Sequence, residues 1–347
     1  MMKTSVVFAT SRTQAAAKVN GFPSFTKQAA APPSLICASA TVDNIDIKSP
    51  AQGRIVAMSN LHTGGFDPTD LAPVVTSAND VLVFVHGAAN SFEDAIVRAA
   101  YNKTWLSMAA GHGLNSNFDV VVFTWPAWPY VYWNPFSDTS GYHHDQDQAT
   151  ASAAHFGLFL KLMSDLRAQL GGRRMNLLCH SMGNYMLGGA VEAWSHANPN
   201  VPTPLFDHVL LAAADEIATT FSTPNAGRLA NLKKLGRKIT VYYNYDDVLM
   251  HLSHVANCDF RLGYDGPPNA IDVKFFPSET YDFVDCTGVD DYISAWTDQP
   301  DRSHQYYRQS PTVRLDIAQT LAGMKPKRLR YDPRTNAYGL FPPGFSI

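Results

Sequence analysis

The stretch from Met175 to Asn184 contains the residues whose types and spacing are best suited to chemistry. Within it, Ser181 follows a short apolar run and precedes apolar residues at helical spacing. A serine on a sharp turn between a strand and a helix is held above the sheet and can act as a nucleophile. Its neighbours two positions away must be small, which Gly183 satisfies and Cys179 allows. The pattern predicts a nucleophilic Ser181, with a helix-capping serine as the alternative.

A nucleophilic serine requires a base, which is most often a histidine. With this kind of turn, the acid and then the base follow the serine along the chain. His304 lies in a polar loop beyond the last predicted strand, where the base is expected. In contrast, His196 lies on the helix after the serine, and His208 precedes a strand. We therefore favour His304 as the base, with a solvated loop histidine as the alternative.

The acid that orients this histidine should end another strand. The predicted strand Ile239–Tyr243 is followed by Asn-Tyr-Asp-Asp, so that both Asp246 and Asp247 are candidates. We favour Asp247, while a turn-forming role remains open for it. Asp215, at the end of a neighbouring predicted strand, is the competing position.

Backbone N–H groups beside the serine would stabilise a developing oxyanion. The predicted strand Val81–Val85 ends in His-Gly-Ala-Ala, and a turn at this position commonly supplies one such donor. The residue after the nucleophile supplies the other. The sequence therefore predicts an oxyanion hole formed by the backbone N–H groups of Ala88 and Met182.

Short apolar runs alternate with helical periods from residue 80 onward, which is typical of a parallel sheet covered by helices on both faces. The fold class predicted from this pattern is α/β, doubly wound. Two segments predict helices, Ser91–Met108 and Asp147–Leu170. The predicted strands are Val81–Val85, Val120–Phe123, Met175–Leu178, Val209–Ala213, Ile239–Tyr243 and Val273–Phe276.

A long aromatic-rich loop, Trp125–Tyr142, follows one of these strands. Such a loop can form a pocket wall or a lid, although its rings could equally cap the local core. The residues predicted to bind substrate are Trp125, Trp128, Tyr130 and Trp133.

The domain prediction is a single domain over residues 1–347. Residues 1–75 are expected to form peripheral strands and loops, residues 76–324 the catalytic core, and residues 325–347 an extended C-terminal tail.

Composition excludes several classes of protein. The 27 basic and 30 acidic residues give a net charge of −3, which does not favour a nucleic-acid binder. No apolar run reaches the roughly 18 residues of a membrane span, and the short apolar stretch near Met1 is too brief for a signal peptide. The four cysteines show no metal-binding or disulfide spacing, so a reducing cytoplasm is expected.

The sequence resembles the serine α/β-hydrolases, and within them a bacterial group of unknown function with an esterase-like core. The resemblance implies the α/β-hydrolase fold and places Ser181, Asp247 and His304 at the triad positions. The chain departs from the group at Ala88 and Ala89, where an aromatic residue and Asn are usual, and at Ser303, where Gly is frequent. The matching segments are Phe8–Arg12, Val83–Gly87, Ser91–Ala95, Phe123–Pro126, Cys179–Asn184, Val241–Leu249, Arg261–Gly263, Val284–Cys286 and Ser303–Tyr307.

The function predicted on these grounds is hydrolysis of a small-molecule carboxylic ester with an apolar acyl or aryl group, without a cofactor. Amide, carbamate or lactone cleavage and acyl transfer would use the same residues.

Two other classes of protein are alternatives to a serine hydrolase. The first is a metal-dependent enzyme, since the clusters His143–Asp147 and His251–His254 contain plausible metal ligands, although no metalloprotease motif accompanies them. A non-catalytic binding protein on a hydrolase fold is the other alternative. The oligomeric state is left open.

Overall fold

The structure is a computed structural model of the 347-residue chain. The residues it describes are 3–43, 45–47, 53–109, 117–129, 139–197, 204–221, 227–268, 275–293, 301–328 and 330–343.

A large mixed sheet forms the centre of the protein, with twelve strands in the described part of the chain. Its order is β13-β14-β12-β11-β10-β9-β7-β8-β1-β4-β5, and β6 pairs with β4. The pairings from β1 through β8, β7, β9, β10, β11 and β12 to β14 are parallel, while β4, β5, β6 and β13 pair antiparallel. The remaining two strands, β2 and β3, form a separate antiparallel hairpin. The strands are β1 (Thr4–Thr10), β2 (Arg12–Val19), β3 (Phe22–Ala29), β4 (Ile36–Asp43), β5 (Arg54–Met58), β6 (His62–Thr63), β7 (Asp80–Val85), β8 (Phe118–Thr124), β9 (Met175–His180), β10 (Phe206–Ala212), β11 (Gly236–Tyr243), β12 (Tyr281–Asp285), β13 (Arg330–Asp332) and β14 (Ala337–Gly339).

Helices cover both faces of the sheet, as the apolar strands predict. Alternate residues of a strand point to opposite faces, and those of β7 divide accordingly. Val83 packs in one core cluster with Phe156 and Phe159, whereas Phe84 packs in the other with Ile96. The helices are α1 (Pro68–Thr76), α2 (Phe92–Ser107), α3 (Ser140–Gln169), α4 (Met182–Ala197), α5 (Val248–Asn257), α6 (Leu262–Asp265) and α7 (Pro311–Leu321). The α/β class with a mostly parallel sheet is therefore confirmed.

The helix predicted over Ser91–Met108 agrees with α2, because a capping box fixes its start. The Ser91 side chain accepts from the Asp94 N–H, and the Asp94 carboxylate accepts from the Ser91 N–H. The other predicted helix begins seven residues earlier than expected, at Ser140, so the end of the predicted loop Trp125–Tyr142 is helical.

Two further predictions need correction. The N-terminal segment is not wholly peripheral, because β1 lies inside the sheet between β8 and β4. The last strand before the C-terminal segment is Tyr281–Asp285, whereas Phe275 and Phe276 of the predicted strand Val273–Phe276 lie in a turn and residues 273 and 274 lie outside the described residues.

The C-terminal segment expected to be extended contributes two strands, β13 and β14, to the sheet. In the described part of the chain, no helix combines the length and the apolar character that a bilayer crossing requires.

Candidate active site

Ser181 lies on the turn between β9 and α4, at the carboxyl edge of the parallel strands. Its φ of 53° is in the left-handed region, which non-glycine residues rarely adopt. Two glycines make this turn possible. A Cβ on Gly87 would lie 2.7 Å from the Cβ of Ser181, and one on Gly183 would lie 2.6 Å from the backbone oxygen of His86. The small residue predicted at position 183 is therefore required by close packing.

Hydrogen bonds compensate the strain of this turn. The N–H of Ser181 donates to the Ala212 carbonyl at 3.0 Å. The Ser181 carbonyl accepts from the N–H groups of Asn184 (3.0 Å) and Asp215 (3.2 Å). The serine backbone is thus held by the neighbouring strand β10, the loop after it and the first turn of α4.

His304 and Asp247 form a buried pair. The Nδ1–H of His304 donates to Oδ2 of Asp247 at 2.8 Å, and both side chains are almost inaccessible. Burial raises the pKa of Asp247, while the hydrogen bond and the charge interaction with His304 oppose that rise. The other carboxylate oxygen caps α5 by accepting from the Met250 N–H at 3.0 Å. A proton on Nδ1 leaves Nε2 of His304 free to act as a base.

The turn that carries His304 is attached to both neighbouring parts of the site. The Asn244 side chain donates to the Ser303 carbonyl (3.0 Å), and the Ser303 hydroxyl accepts from the Val248 N–H (3.2 Å). On the other side, Nε2 of His180 donates to the His304 carbonyl at 3.2 Å, and the two rings lie 4.6 Å apart. The structure therefore brings His304 against the residue that precedes Ser181.

The two predicted oxyanion donors lie on either side of this turn. Ala88 follows β7, which is adjacent to β9 in the sheet, and Met182 is the first residue of α4. In the described part of the chain, neither N–H donates to another protein group.

Of the candidate acids, only Asp247 contacts a histidine of this site. Asp246 is exposed. Asp215 is buried but pairs with Arg261, whose Nη2 lies 2.7 Å from its Oδ1, and it also accepts from the Tyr142 hydroxyl. The geometry therefore selects Asp247 over both alternatives.

The predicted substrate-binding tryptophans have different environments. Trp125 is fully buried, donates from its indole to the His86 carbonyl at 2.8 Å and stacks on the His86 ring. It is part of the core. Trp128 is 41 % exposed and lines an apolar cavity of about 200 Å³ together with the β2–β3 hairpin. Tyr130 and Trp133 lie outside the described residues.

The histidines of the two clusters predicted as possible metal ligands contact other side chains. His143 contacts Gln146, and His251 stacks on His254. Over the described ranges, no three His, Cys, Asp or Glu side chains converge in a way that could hold a metal ion.

A family described as "Alpha/beta hydrolase of unknown function (DUF900)" matches residues 69–324. The chain belongs to this family of α/β-hydrolases. Its sheet order and the serine turn after β9 agree with the resemblance expected from the sequence.

Solved structures similar to the chain include several hydrolases, all at low identity. The lin2722 gene product of Listeria innocua has 12 % identity and a TM-score of 0.38, with 76 % of this chain and 98 % of that chain covered. The siderophore hydrolase EstB of Aspergillus nidulans has 11 % identity and a TM-score of 0.34, covering 85 % and 96 %. Phospholipase PlaB of Legionella pneumophila, in complex with thio-NAD, has 11 % identity and a TM-score of 0.28, covering 53 % and 43 %. No curated protein matches the sequence.

Sequence reasoning missed two buried charged residues beside the site, Arg12 and Asp145. Arg12 ends the segment Phe8–Arg12, and Asp145 belongs to the cluster His143–Asp147. The available signal was an arginine two residues after a largely apolar strand, since a buried arginine requires polar partners.

Proposed function

We propose that this α/β-hydrolase cleaves carboxylic esters by a serine mechanism in which Ser181, His304 and Asp247 form the triad. The observation that carries the proposal is the buried 2.8 Å pair of His304 and Asp247, which packs against the strained serine turn. Nucleophile, acid and base follow one another along the chain in the order typical of this fold. A buried, hydrogen-bonded acid–histidine pair beside a serine on a strained turn is the arrangement that nucleophilic catalysis requires.

In this mechanism Nε2 of His304 accepts the proton of the Ser181 hydroxyl while Oγ attacks the acyl carbon. The carbonyl oxygen becomes an oxyanion, which accepts hydrogen bonds from the N–H groups of Ala88 and Met182. The intermediate collapses as the ester C–O bond breaks, and the leaving alkoxide receives the proton from His304. Water then attacks the acyl-enzyme by the same sequence, which releases the acid and restores Ser181. Asp247 keeps the histidine in the tautomer with its proton on Nδ1 throughout.

The cavity beside Trp128 favours an apolar substituent on the ester. Its walls include Phe22, Phe25, Met58 and Phe92, and it begins where the loop containing Ala88 enters α2. A cavity of about 200 Å³ can hold a benzene ring or a short alkyl chain, because a cavity of roughly 150 Å³ accommodates benzene. An aryl or short-chain acyl ester therefore fits the surroundings better than a charged substrate.

The direct test is labelling with a fluorophosphonate, followed by location of the adduct by peptide mass spectrometry. We expect the adduct on Ser181, and we expect Ser181→Ala to abolish both labelling and turnover of p-nitrophenyl butyrate. Ser195→Ala is the matched control, because Ser195 is also buried and lies on α4 without belonging to the turn. In Ser195→Ala, fluorophosphonate labelling and hydrolysis of p-nitrophenyl butyrate should equal those of the wild-type protein.

Three outcomes would contradict the proposal. The first is an adduct on another residue, and the second is ester turnover that survives in Ser181→Ala. The third is a folded protein that neither labels nor hydrolyses any ester in a series from acetate to octanoate, which would favour a binding function.

A further inference from the structure

Two loops that flank the site are held by a buried cation and a buried anion. The first, here named the oxyanion loop, comprises Gly87–Ser91, and the second, the tryptophan loop, comprises Trp125–Pro129. Arg12 donates from Nη2 to the Asn90 carbonyl (2.9 Å) and from Nη1 to the Ala127 carbonyl (3.0 Å). Each loop is thus bound to the same guanidinium through a backbone oxygen.

Asp145 binds the same two loops through their N–H groups. Its Oδ2 accepts from the Ala89 N–H at 2.8 Å, and its Oδ1 accepts from the Trp128 N–H at 3.0 Å. Arg12 and Asp145 therefore bind each loop at adjacent residues. Arg12 binds a carbonyl oxygen and Asp145 binds an N–H group. Hydrogen bonds to charged groups are about twice as strong as neutral ones, so this arrangement is stiff.

Both charges are nearly inaccessible to solvent: Arg12 is 1 % exposed and the side chain of Asp145 is 0 % exposed. Burial lowers the pKa of Arg12 to about 9, opposed by the charge of Asp145, so the guanidinium stays cationic at neutral pH. Within the described residues, Arg12 has no carboxylate within 4 Å, and its partners are backbone carbonyls and the Thr124 hydroxyl. Burying a charge is unfavourable in free energy. Here the buried guanidinium of Arg12 binds the backbone of the two loops and does not form a direct ion pair with another described residue.

The fixed oxyanion loop also sets the orientation of the peptide group between Gly87 and Ala88. The Gly87 carbonyl accepts from Nδ1 of His86 (2.8 Å) and from the side-chain amide of Asn90 (3.0 Å). The Trp125 N–H donates to Nε2 of His86, so the proton of that ring is on Nδ1. In a planar trans peptide the C=O and the next N–H point in opposite directions. Holding the Gly87 carbonyl therefore aims the N–H of Ala88 the other way.

The oxyanion loop contains a residue in an unfavourable backbone conformation. Ala89 has a φ of 57°, a left-handed conformation that is unfavourable for a residue with a Cβ. Asp145 binds the N–H of this strained residue, and Arg12 binds the carbonyl of the next one, Asn90.

We propose that Asp145 and Arg12 are positioning residues that hold the oxyanion loop so that the Ala88 N–H faces the reacting carbonyl. This inference rests on the proposed esterase function. Neither residue contacts the reacting atoms. Both act through the backbone of the oxyanion loop, and Trp128 at the mouth of the apolar cavity is held by the same carboxylate.

The test is Asp145→Asn, an isosteric change that leaves one acceptor for two backbone N–H groups. We expect kcat for p-nitrophenyl butyrate to fall about 100-fold with KM changed less than about threefold, since loss of an oxyanion donor typically costs 10²–10³ in kcat. The affinity for phenylboronic acid should fall in parallel, because its tetrahedral adduct on Ser181 places an oxygen where the oxyanion forms. Arg12→Lys should show the same pattern to a smaller extent.

Asp316→Asn is the matched control. Asp316 is a buried aspartate on α7 that pairs with Arg328 at 2.8 Å, away from both loops. It should lower the melting temperature but leave kcat and boronic acid affinity within about twofold. A folded Asp145→Asn with unchanged kcat and unchanged boronic acid affinity would overturn the positioning role while leaving the esterase function intact. If the unchanged protein neither hydrolyses esters nor binds the boronic acid, both proposals are wrong.

Discussion

At the scale of single residues, Asp247 has two roles that a single substitution can separate. One oxygen caps helix α5 and the other accepts from His304. Asparagine is an equally good helix cap, so Asp247→Asn should keep the fold. Its neutral side chain cannot stabilise the imidazolium that forms when His304 takes up the serine proton. The neighbouring Asp246 is exposed and contacts neither partner.

We therefore predict that Asp247→Asn lowers kcat for ester hydrolysis by about 10³- to 10⁴-fold, whereas Asp246→Asn changes it by less than about twofold. Steady-state kinetics and thermal melting of both purified variants check this. Equal small losses in the two variants would mean that neither aspartate serves the histidine.

Single residues also show how far the sequence leads. The predicted base His304 pairs with the favoured acid Asp247 and contacts His180, the residue before Ser181, because chain order and strand ends constrain where these segments meet. Trp125 is buried and donates to the His86 carbonyl, which the sequence of an aromatic-rich loop does not reveal. Arg12 and Asp145 lie over a hundred residues apart in sequence, so only the folded loops show that they hold the same backbone segments.

At the scale of elements, the β2–β3 hairpin shapes the apolar cavity that the proposed function assigns to the ester substituent. It leaves the sheet directly after β1 and forms one wall of the cavity that Trp128 lines. Met58, at the carboxyl end of β5, forms part of the opposite wall.

We predict that Met58→Trp, which fills part of this cavity, lowers kcat/KM for p-nitrophenyl octanoate by about tenfold, because one buried CH₂ contributes about 0.8 kcal/mol and two or more would be displaced. The acetate ester should be hydrolysed within about twofold of the unchanged rate. Measuring both esters on the same preparation provides the internal control. Equal effects on the two esters would mean that the cavity does not hold the acyl chain.

The helix and the strand whose predicted positions were wrong depend on contacts between distant segments. Helix α3 begins at Ser140, before the apolar residues at helical spacing. Its first turn is stabilised by hydrogen bonds between the Tyr142 hydroxyl and the side chains of Asp215 and Ser253, which lie far away in sequence. The strand expected at Val273–Phe276 lies later, at Tyr281–Asp285. Phe276 packs its ring on Tyr281 and Phe283 from a turn, and this gives a strand-like apolar pattern without a strand.

At the scale of the whole molecule, buried titratable groups make stability depend on pH. Burial raises the pKa of Glu216 to about 7, although Arg228 and Arg261 oppose the rise. The folded protein therefore binds a proton that the unfolded chain has already released above pH 4.5. Stability from this group is fully present below pH 4.5 and is lost as pH rises toward 7.

Glu216→Gln removes this dependence. Relative to the unchanged protein, the free energy of unfolding of the variant should increase by roughly 3 kcal/mol between pH 4.5 and 7 and then level off. Urea titrations at pH 4.5, 5.5, 6.5 and 7.5 measure the difference. The exposed Glu192→Gln is the matched control for removal of a carboxyl group. The same trend in both variants would rule out burial of Glu216 as the cause.

The position of β1 within the sheet has a consequence for how the chain reaches its native state. Val7 of β1 pairs with Val121 in parallel, and Arg12, two residues after β1, binds loops that follow β7 and β8. These contacts join segments far apart in sequence, and such contacts slow folding because loop-closure entropy is lost before they form. During synthesis β1 leaves the ribosome before β8 and stays without this partner until more than a hundred further residues have emerged. A chaperone that shields this strand should therefore raise the yield of native protein more than changes near the serine turn would.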